Sequence, residues 1–265
     1  MKHSLTDNAR SAWNGMLFAV VFLLFAPAAQ AQFSFGSAPP PDVLHPAPSQ
    51  WWIGPQIGVN LNTHEGEYFT DFCECAFKDG SGTGLTAGVE IGHMLAPWLG
   101  VALKLVYNDL QAQYEYPIRL PTTTEDDEII DVNYMRELDV RLGYILLHPV
   151  VQIQPLPFIY LFAGPAIGIR TTAKHDYTLR INDPGVEFLY TGLDEHLVKE
   201  DSGEIPNAES FRADVRAGLG LNLGIGRGLR LAPEVSYGIP LTTIADDDDW
   251  KAAAIHITAV LKIDL

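Results

Sequence analysis

Eight stretches of this chain alternate apolar and polar residues with a period of two: 51–61, 84–92, 101–108, 137–146, 159–170, 211–223, 229–239 and 255–265. Period two sustained over such lengths is the signature of β-strands with two unlike faces. In the first stretch Trp51, Ile53, Pro55, Ile57, Val59 and Leu61 share one face, and Gly54, Gln56, Gly58 and Asn60 share the other. In the fourth, Leu138, Val140, Leu142, Tyr144 and Leu146 oppose Glu137, Asp139, Arg141 and Gly143. A strand that crosses a bilayer at a tilt needs roughly 9–11 residues, whereas strands of ordinary globular proteins have about 5–6. The connections alternate as well. Long ones cover about 62–82, 115–129, 171–210 and 242–252, and short ones about 95–100, 148–156 and 226–228. Long loops on one rim and short turns on the other are the layout of an outer-membrane barrel. The pattern predicts an all-β fold, an eight-stranded antiparallel transmembrane β-barrel over 51–265, with both chain ends on the periplasmic, short-turn side.

Which phase faces lipid follows from the contents of the polar phase. It carries most of the strand glycines, which leave room in a narrow interior. It also carries seven acids (Glu90, Asp131, Glu137, Asp139, Asp214, Glu234, Asp264) and seven bases (Lys104, Arg141, Arg170, Arg212, Arg216, Arg230, Lys262). Balance of this kind is demanded by an enclosed lumen, where unpaired charge is costly, and not by a solvated face. The apolar phase is therefore expected to face lipid throughout, with Val140 mid-bilayer, and a soluble barrel with its apolar face inside is the alternative. Aromatic girdles are expected from Trp51, Trp98, Tyr144 and Phe158 at the short-turn rim and from Tyr107, Tyr134, Phe211, Tyr237 and Trp250 at the long-loop rim. His93 and His148 fall in the lipid phase at the short-turn rim. Arg136 is the one cation in the lipid phase, and it is expected either to meet a lipid phosphate or to snorkel. Pro55, Pro165 and Pro233 cannot donate to a ladder, so bulges are expected there. The matching strings around Pro55 and Pro165 are what an ancestral half-barrel duplication would leave.

The N-terminus supplies an address. Lys2 and Arg10 precede the apolar run Met16–Ala29, and Ala29-Gln30-Ala31 follows it. This is the form of a secretory signal peptide, 1–31, with an uncleaved anchor as the alternative. Residues 32–50 are rich in Pro, Ser and Ala and read as a periplasmic linker.

The formal net charge of −16 argues against a nucleic-acid binder, which needs a basic patch. The four long connections hold 23 acidic residues against 6 basic ones, so the acidity belongs to the outer rim. There it would attract cations or basic partners.

The strings PFIYLFAGPAIGIR (157–170) and RAGLGLNLGIGRGLRLAPEVSYGIPLT (216–242) resemble strands of the bacterial outer-membrane β-barrel family called "porin family" or PorT-like. That resemblance implies an eight-stranded barrel inserted from the periplasm, with no catalytic signature. Many outer-membrane strands end in an aromatic residue, but this chain ends in Leu265.

Candidate sites follow from these readings. A lumenal salt-bridge network is expected of Glu90, Lys104, Glu137, Asp139, Arg141, Arg170, Arg212, Asp214, Arg216, Glu234, Lys262 and Asp264. Cys73 and Cys75 are candidates for a local disulfide, with free thiols, pairing elsewhere or a metal site as alternatives. Asp246, Asp247, Asp248 and Asp249, and likewise 125–128, are weak Ca²⁺ candidates, because neither run has EF-hand spacing. No cofactor is expected. The partners expected are outer-membrane lipids and, at the loops, cations or basic molecules, around a monomer in the bacterial outer membrane. The function expected is structural or loop-mediated binding. A small channel is one alternative, although eight strands leave an interior that side chains fill. A lipid-modifying enzyme or protease is the other. It would draw on His64, His175 or His196 with Ser81, Ser202 or Ser210, and no motif links them.

Overall fold

The computed structural model describes residues 51–70, 75–124, 127–183, 186, 196–226, 228–246 and 249–265. The signal-peptide and linker readings, and Cys73, Asp247 and Asp248, lie outside the described residues. Eleven strands form one antiparallel sheet: β1 (Trp51–Thr70), β2 (Cys75–Ala96), β3 (Leu99–Asp109), β4 (Ala112–Thr123), β5 (Ile129–Leu156), β6 (Ile159–Ile181), β7 (Leu197–Glu204), β8 (Phe211–Leu221), β9 (Leu223–Gly226), β10 (Leu229–Pro240) and β11 (Lys251–Asp264). Eight of them close a ring in the order β1–β2–β3–β5–β6–β8–β10–β11, with β11 pairing back onto β1. Trp52 lies opposite Asp264, and the Leu265 amide donates to the Trp51 carbonyl, so both ends of the described chain meet at one rim.

The strands are far longer than a bilayer requires. β5 has 28 residues and β6 has 23. At ~3.3 Å per residue, β5 alone is about 90 Å of strand against a hydrocarbon layer of ~30 Å. The surplus rises beyond the outer rim. β4 continues β3 in the same register against β5 after a break at Leu110 and Gln111, and β7 pairs on the far side of β6. Much of what reads as long acidic loop is therefore strand. β1 and β2 likewise continue to Thr70 and Cys75.

The ring has two zones of opposite polarity. In the belt, apolar residues point outward: Ile57, Leu85 and Ile169 are 68%, 64% and 62% exposed, and Leu105, Val151 and Leu219 are half-exposed. Polar residues point inward. In the extension above the belt, the inside is apolar. Its core packs Leu110, Tyr114, Leu138, Val140, Leu142, Leu146, Tyr177, Ile244 and Trp250. A smaller cluster of Val132, Tyr134 and Ile181 continues the core outward.

β5 runs through both zones on one unbroken alternation. Its inward residues change from Leu138, Val140 and Leu142 to His148 and Gln152, and its outward residues change from Glu137, Asp139 and Arg141 to Ile145, Leu147, Val151 and Ile153. Val140 is therefore 1% exposed in the extension core and does not face lipid. Tyr134, Tyr144 and Trp250 are core residues and not girdle residues, and His148 points into the lumen. Trp51, Trp98, Tyr107, Phe211 and Tyr237 remain outward at the belt's edges, with His93 stacked on Trp51 at 4.4 Å between ring centroids.

The prolines do not create bulges. Pro55 sits opposite Val89, Pro165 opposite Val215 and Pro233 opposite Ala259, with no register shift at any of them. Instead, rungs are skipped on the other side of Pro55, between Ile53 and Gln56, and of Pro165, between Ala163 and Ile167. A skipped rung forfeits hydrogen bonds that proline could not complete, and it keeps every neighbouring side chain on its proper face.

Candidate functional site

Two surfaces carry polar chemistry. The first is the belt's lumen. Lys104 on β3 is fully buried between two carboxylates, 3.0 Å from Glu90 Oε2 and 2.5 Å from Glu234 Oε2. Trp52 Nε1 donates to Glu90 Oε1 at 2.6 Å, and the Tyr160 hydroxyl donates to Glu234 Oε1 at 2.7 Å. Lys262 lies 3.6 Å from Glu90 Oε1, with its ammonium 4.2 Å from the Tyr160 ring centre. Nearer the rim, Arg230 pairs with Asp264. A second cluster joins Asp214 to two guanidiniums, Arg212 at 2.8 Å and Arg216 at 2.7 Å. The Asn108 amide oxygen, turned toward Arg216, accepts from it at 2.7 and 2.9 Å. Glycines make this crowding feasible: a methyl at Gly92 would overlap the Trp52 ring, and one at Gly220 the Tyr160 ring. Here glycine makes room for an aromatic, not only for a long charged chain.

Eight of the expected lumenal residues thus line the belt interior: Glu90, Lys104, Arg212, Asp214, Arg216, Glu234, Lys262 and Asp264. Four do not join them. Glu137, Asp139 and Arg141 sit on the outer face of the extension, where Arg141 is 2.9 Å from Asp176 and both are open to solvent. They share the polar phase, but in the extension that phase points out. Arg170, at the inner lip, donates to the Ala208 carbonyl at 2.5 Å and anchors the connection before β8. Asp131 is likewise outside, 3.5 Å from Arg119. Arg136 lies on the inner face and hydrogen-bonds Tyr177, so it faces neither lipid nor phosphate.

The second surface is the outer face of the extension. Glu115 lies directly opposite Glu137, and Asp139 directly opposite Asp176. The two rungs continue to Glu200 and Ser202 on β7. Like charges facing across a ladder weaken a sheet. This face presents seven carboxylates (Glu115, Asp131, Glu137, Asp139, Asp176, Glu200, Glu204) against four bases (Arg119, Arg141, Lys174, Arg180).

The extension core contains one complete polar relay. Trp250 Nε1 donates to the Tyr114 oxygen at 2.8 Å, Tyr114 lies 2.8 Å from His64 Nδ1, and His64 Nε2 is 2.9 Å from the Leu110 carbonyl. A carbonyl only accepts, so Nε2 carries the proton and Nδ1 accepts from tyrosine. Burial holds His64 down at about 3, well below an ordinary imidazole. Both ring nitrogens are engaged, which leaves none for a substrate. His175 is buried 3.8 Å from Asp201, whereas Ser202 is exposed on the opposite face of the sheet. Ser81 and Ser210 are exposed too. At the lip, the hydrogen bond that the Glu209 carboxyl shares with Asp246, together with that neighbour's charge, raises its pKa. Among the described residues, no three histidine, cysteine or acidic groups converge to hold a metal.

No family model and no curated protein matches the chain. Solved structures do resemble it in chain path. Ail, the attachment invasion locus protein of Yersinia pestis, is 10% identical over 81% of this chain and 99% of its own, with a TM-score of 0.34. Neisserial surface protein A is 8% identical over 81% and 97%, with a TM-score of 0.37. The outer membrane protease OmpT from Escherichia coli is 7% identical over 83% and 98%, with a TM-score of 0.34. The closed antiparallel ring with an apolar outward belt makes this chain a membrane β-barrel of the outer-membrane kind.

Proposed function

We propose that this protein is a sealed outer-membrane barrel that holds an acidic, rigid sheet above the bacterial surface for binding cationic partners. The observation that carries this reading is the pair of like-charged rungs, Glu115–Glu137 and Asp139–Asp176, on a sheet whose other face is already occupied by its own core. Repulsion between paired carboxylates is relieved by a positive partner, which raises that partner's affinity. The buried ion pairs of the lumen support a plug and not a channel. The test uses the full-length barrel in nanodiscs with polylysine as the probe. Binding that weakens steeply with salt, and is lost in the quadruple variant Glu115→Gln, Glu137→Gln, Asp139→Asn, Asp176→Asn, is the expected result. Equal binding by that variant would defeat the proposal. Planar-bilayer recordings are expected to show no large stable openings.

A further inference from the structure

Between the two ion clusters of the belt lies a small polar cavity. Gln56, Lys104, His148, Arg216, Glu234 and His256 are among the side chains that line it. Its free space is about 10 Å³, the room of one water molecule. Two of its lining groups have a polar atom without a hydrogen-bond partner, Gln56 Oε1 and His148 Nε2, although Gln56 and His148 are only 7% and 3% exposed.

Oε1 is an amide carbonyl oxygen and only accepts. An imidazole nitrogen accepts in one tautomer and donates in the other. The occupant must therefore donate to Gln56 and either donate to His148 or accept from it. An anion cannot donate. A cation is opposed by the charge of the belt, where Lys104, Lys262, Arg212, Arg216 and Arg230 outnumber Glu90, Asp214, Glu234 and Asp264 by one. Anything larger does not fit.

We propose that this cavity is a built site for a single water, which donates a hydrogen to Gln56 Oε1 and hydrogen-bonds His148 Nε2. The water completes the plug by joining β1 to β5 across the lumen, between the Glu90–Lys104–Glu234 cluster below and the Arg216–Asp214 cluster above.

A crystal structure of the full barrel, with a second crystal soaked in bromide, tests the site. Solvent density within hydrogen-bonding distance of both Gln56 Oε1 and His148 Nε2, with no anomalous bromide peak, is the expected result. A bromide peak in the cavity, or a dry cavity with Gln56 and His148 bonded directly, would overturn it. A thermodynamic cycle is the second arm. Gln56→Leu and His148→Phe each remove one partner of the same water, so their losses in melting temperature are expected to fall well short of additive in the double variant. Additive losses would count against a shared water. If a variant fails to assemble, the wild-type crystals decide alone.

Discussion

The belt and the extension are built from the same strands and obey opposite rules. In the belt, the inside is ionic and the outside apolar. In the extension, the inside holds Val140, Leu142 and Trp250, and the outside holds Glu137, Asp139 and Arg141. The alternation along β5 does not change at the boundary. The solvent around it does, and with it which residue type each face requires. A period-two pattern therefore specifies that a strand has two unlike faces, and only the medium decides which one turns inward.

The largest expected effect breaks this comparison at Val140, where a lipid-facing arginine would cost only about 2–4 kcal/mol. Val140→Arg puts an unpaired charge into the extension core and is expected to cost more than ~4 kcal/mol, seen as loss of the native heat-modifiable gel band. A mild effect would mean that Val140 is not enclosed. Acid provides a second probe of the same core. His64 is held at about 3, so the unfolded state takes up a proton first as pH falls through the ordinary histidine range. The stability this contributes is whole above about pH 6.5 and fades toward pH 3, reaching a total of about 4–5 kcal/mol. Denaturant titrations of wild type and His64→Phe should diverge in slope over that window, and parallel curves would show that the relay is not sealed.

In the belt, Glu234→Gln leaves Lys104 and the Tyr160 hydroxyl with a weaker partner, and is expected to lose about 3–5 kcal/mol in urea unfolding from lipid. Leu103→Arg, on the outward face of β3, should cost about 2–4 kcal/mol at mid-bilayer. The smallest expected change is Arg141→Ala, which cuts an exposed pair with Asp176 and should alter stability by less than ~1 kcal/mol. If Arg141→Ala matched Glu234→Gln, the two zones would not differ as described.

The sequence made the ring legible because alternation survives in either medium. Strand number, the pairing of the ends and most lumenal residues follow from it. The interior of the fourth stretch, 137–146, did not, because an apolar-in strand and an apolar-out strand read identically when its height above the membrane is unknown. One signal was present: beyond Leu146 the same phase continues to His148, Val150 and Gln152, while Ile145, Leu147, Val151 and Ile153 form a second apolar face. An apolar face that changes sides along one strand marks a boundary between media. The extra residue near Thr171, where β6 shifts register against Gly143, was hidden for a related reason. A bulge re-phases one strand without leaving a distinctive residue behind.

The unbroken alternation of β5 also has a cost in time. Glu137, Asp139, Arg141 and Asp176 lie on the far side of the apolar belt from the rim where both chain ends meet. If the barrel inserts from the side of its chain ends, each must traverse the hydrocarbon layer while the extension core is still open. Charged side chains are costly inside hydrocarbon, so that crossing would add a barrier to assembly that the stability of the finished barrel does not report. A catalysed route that thins or opens the bilayer would accelerate its assembly more than that of a barrel whose strands stop at the headgroups.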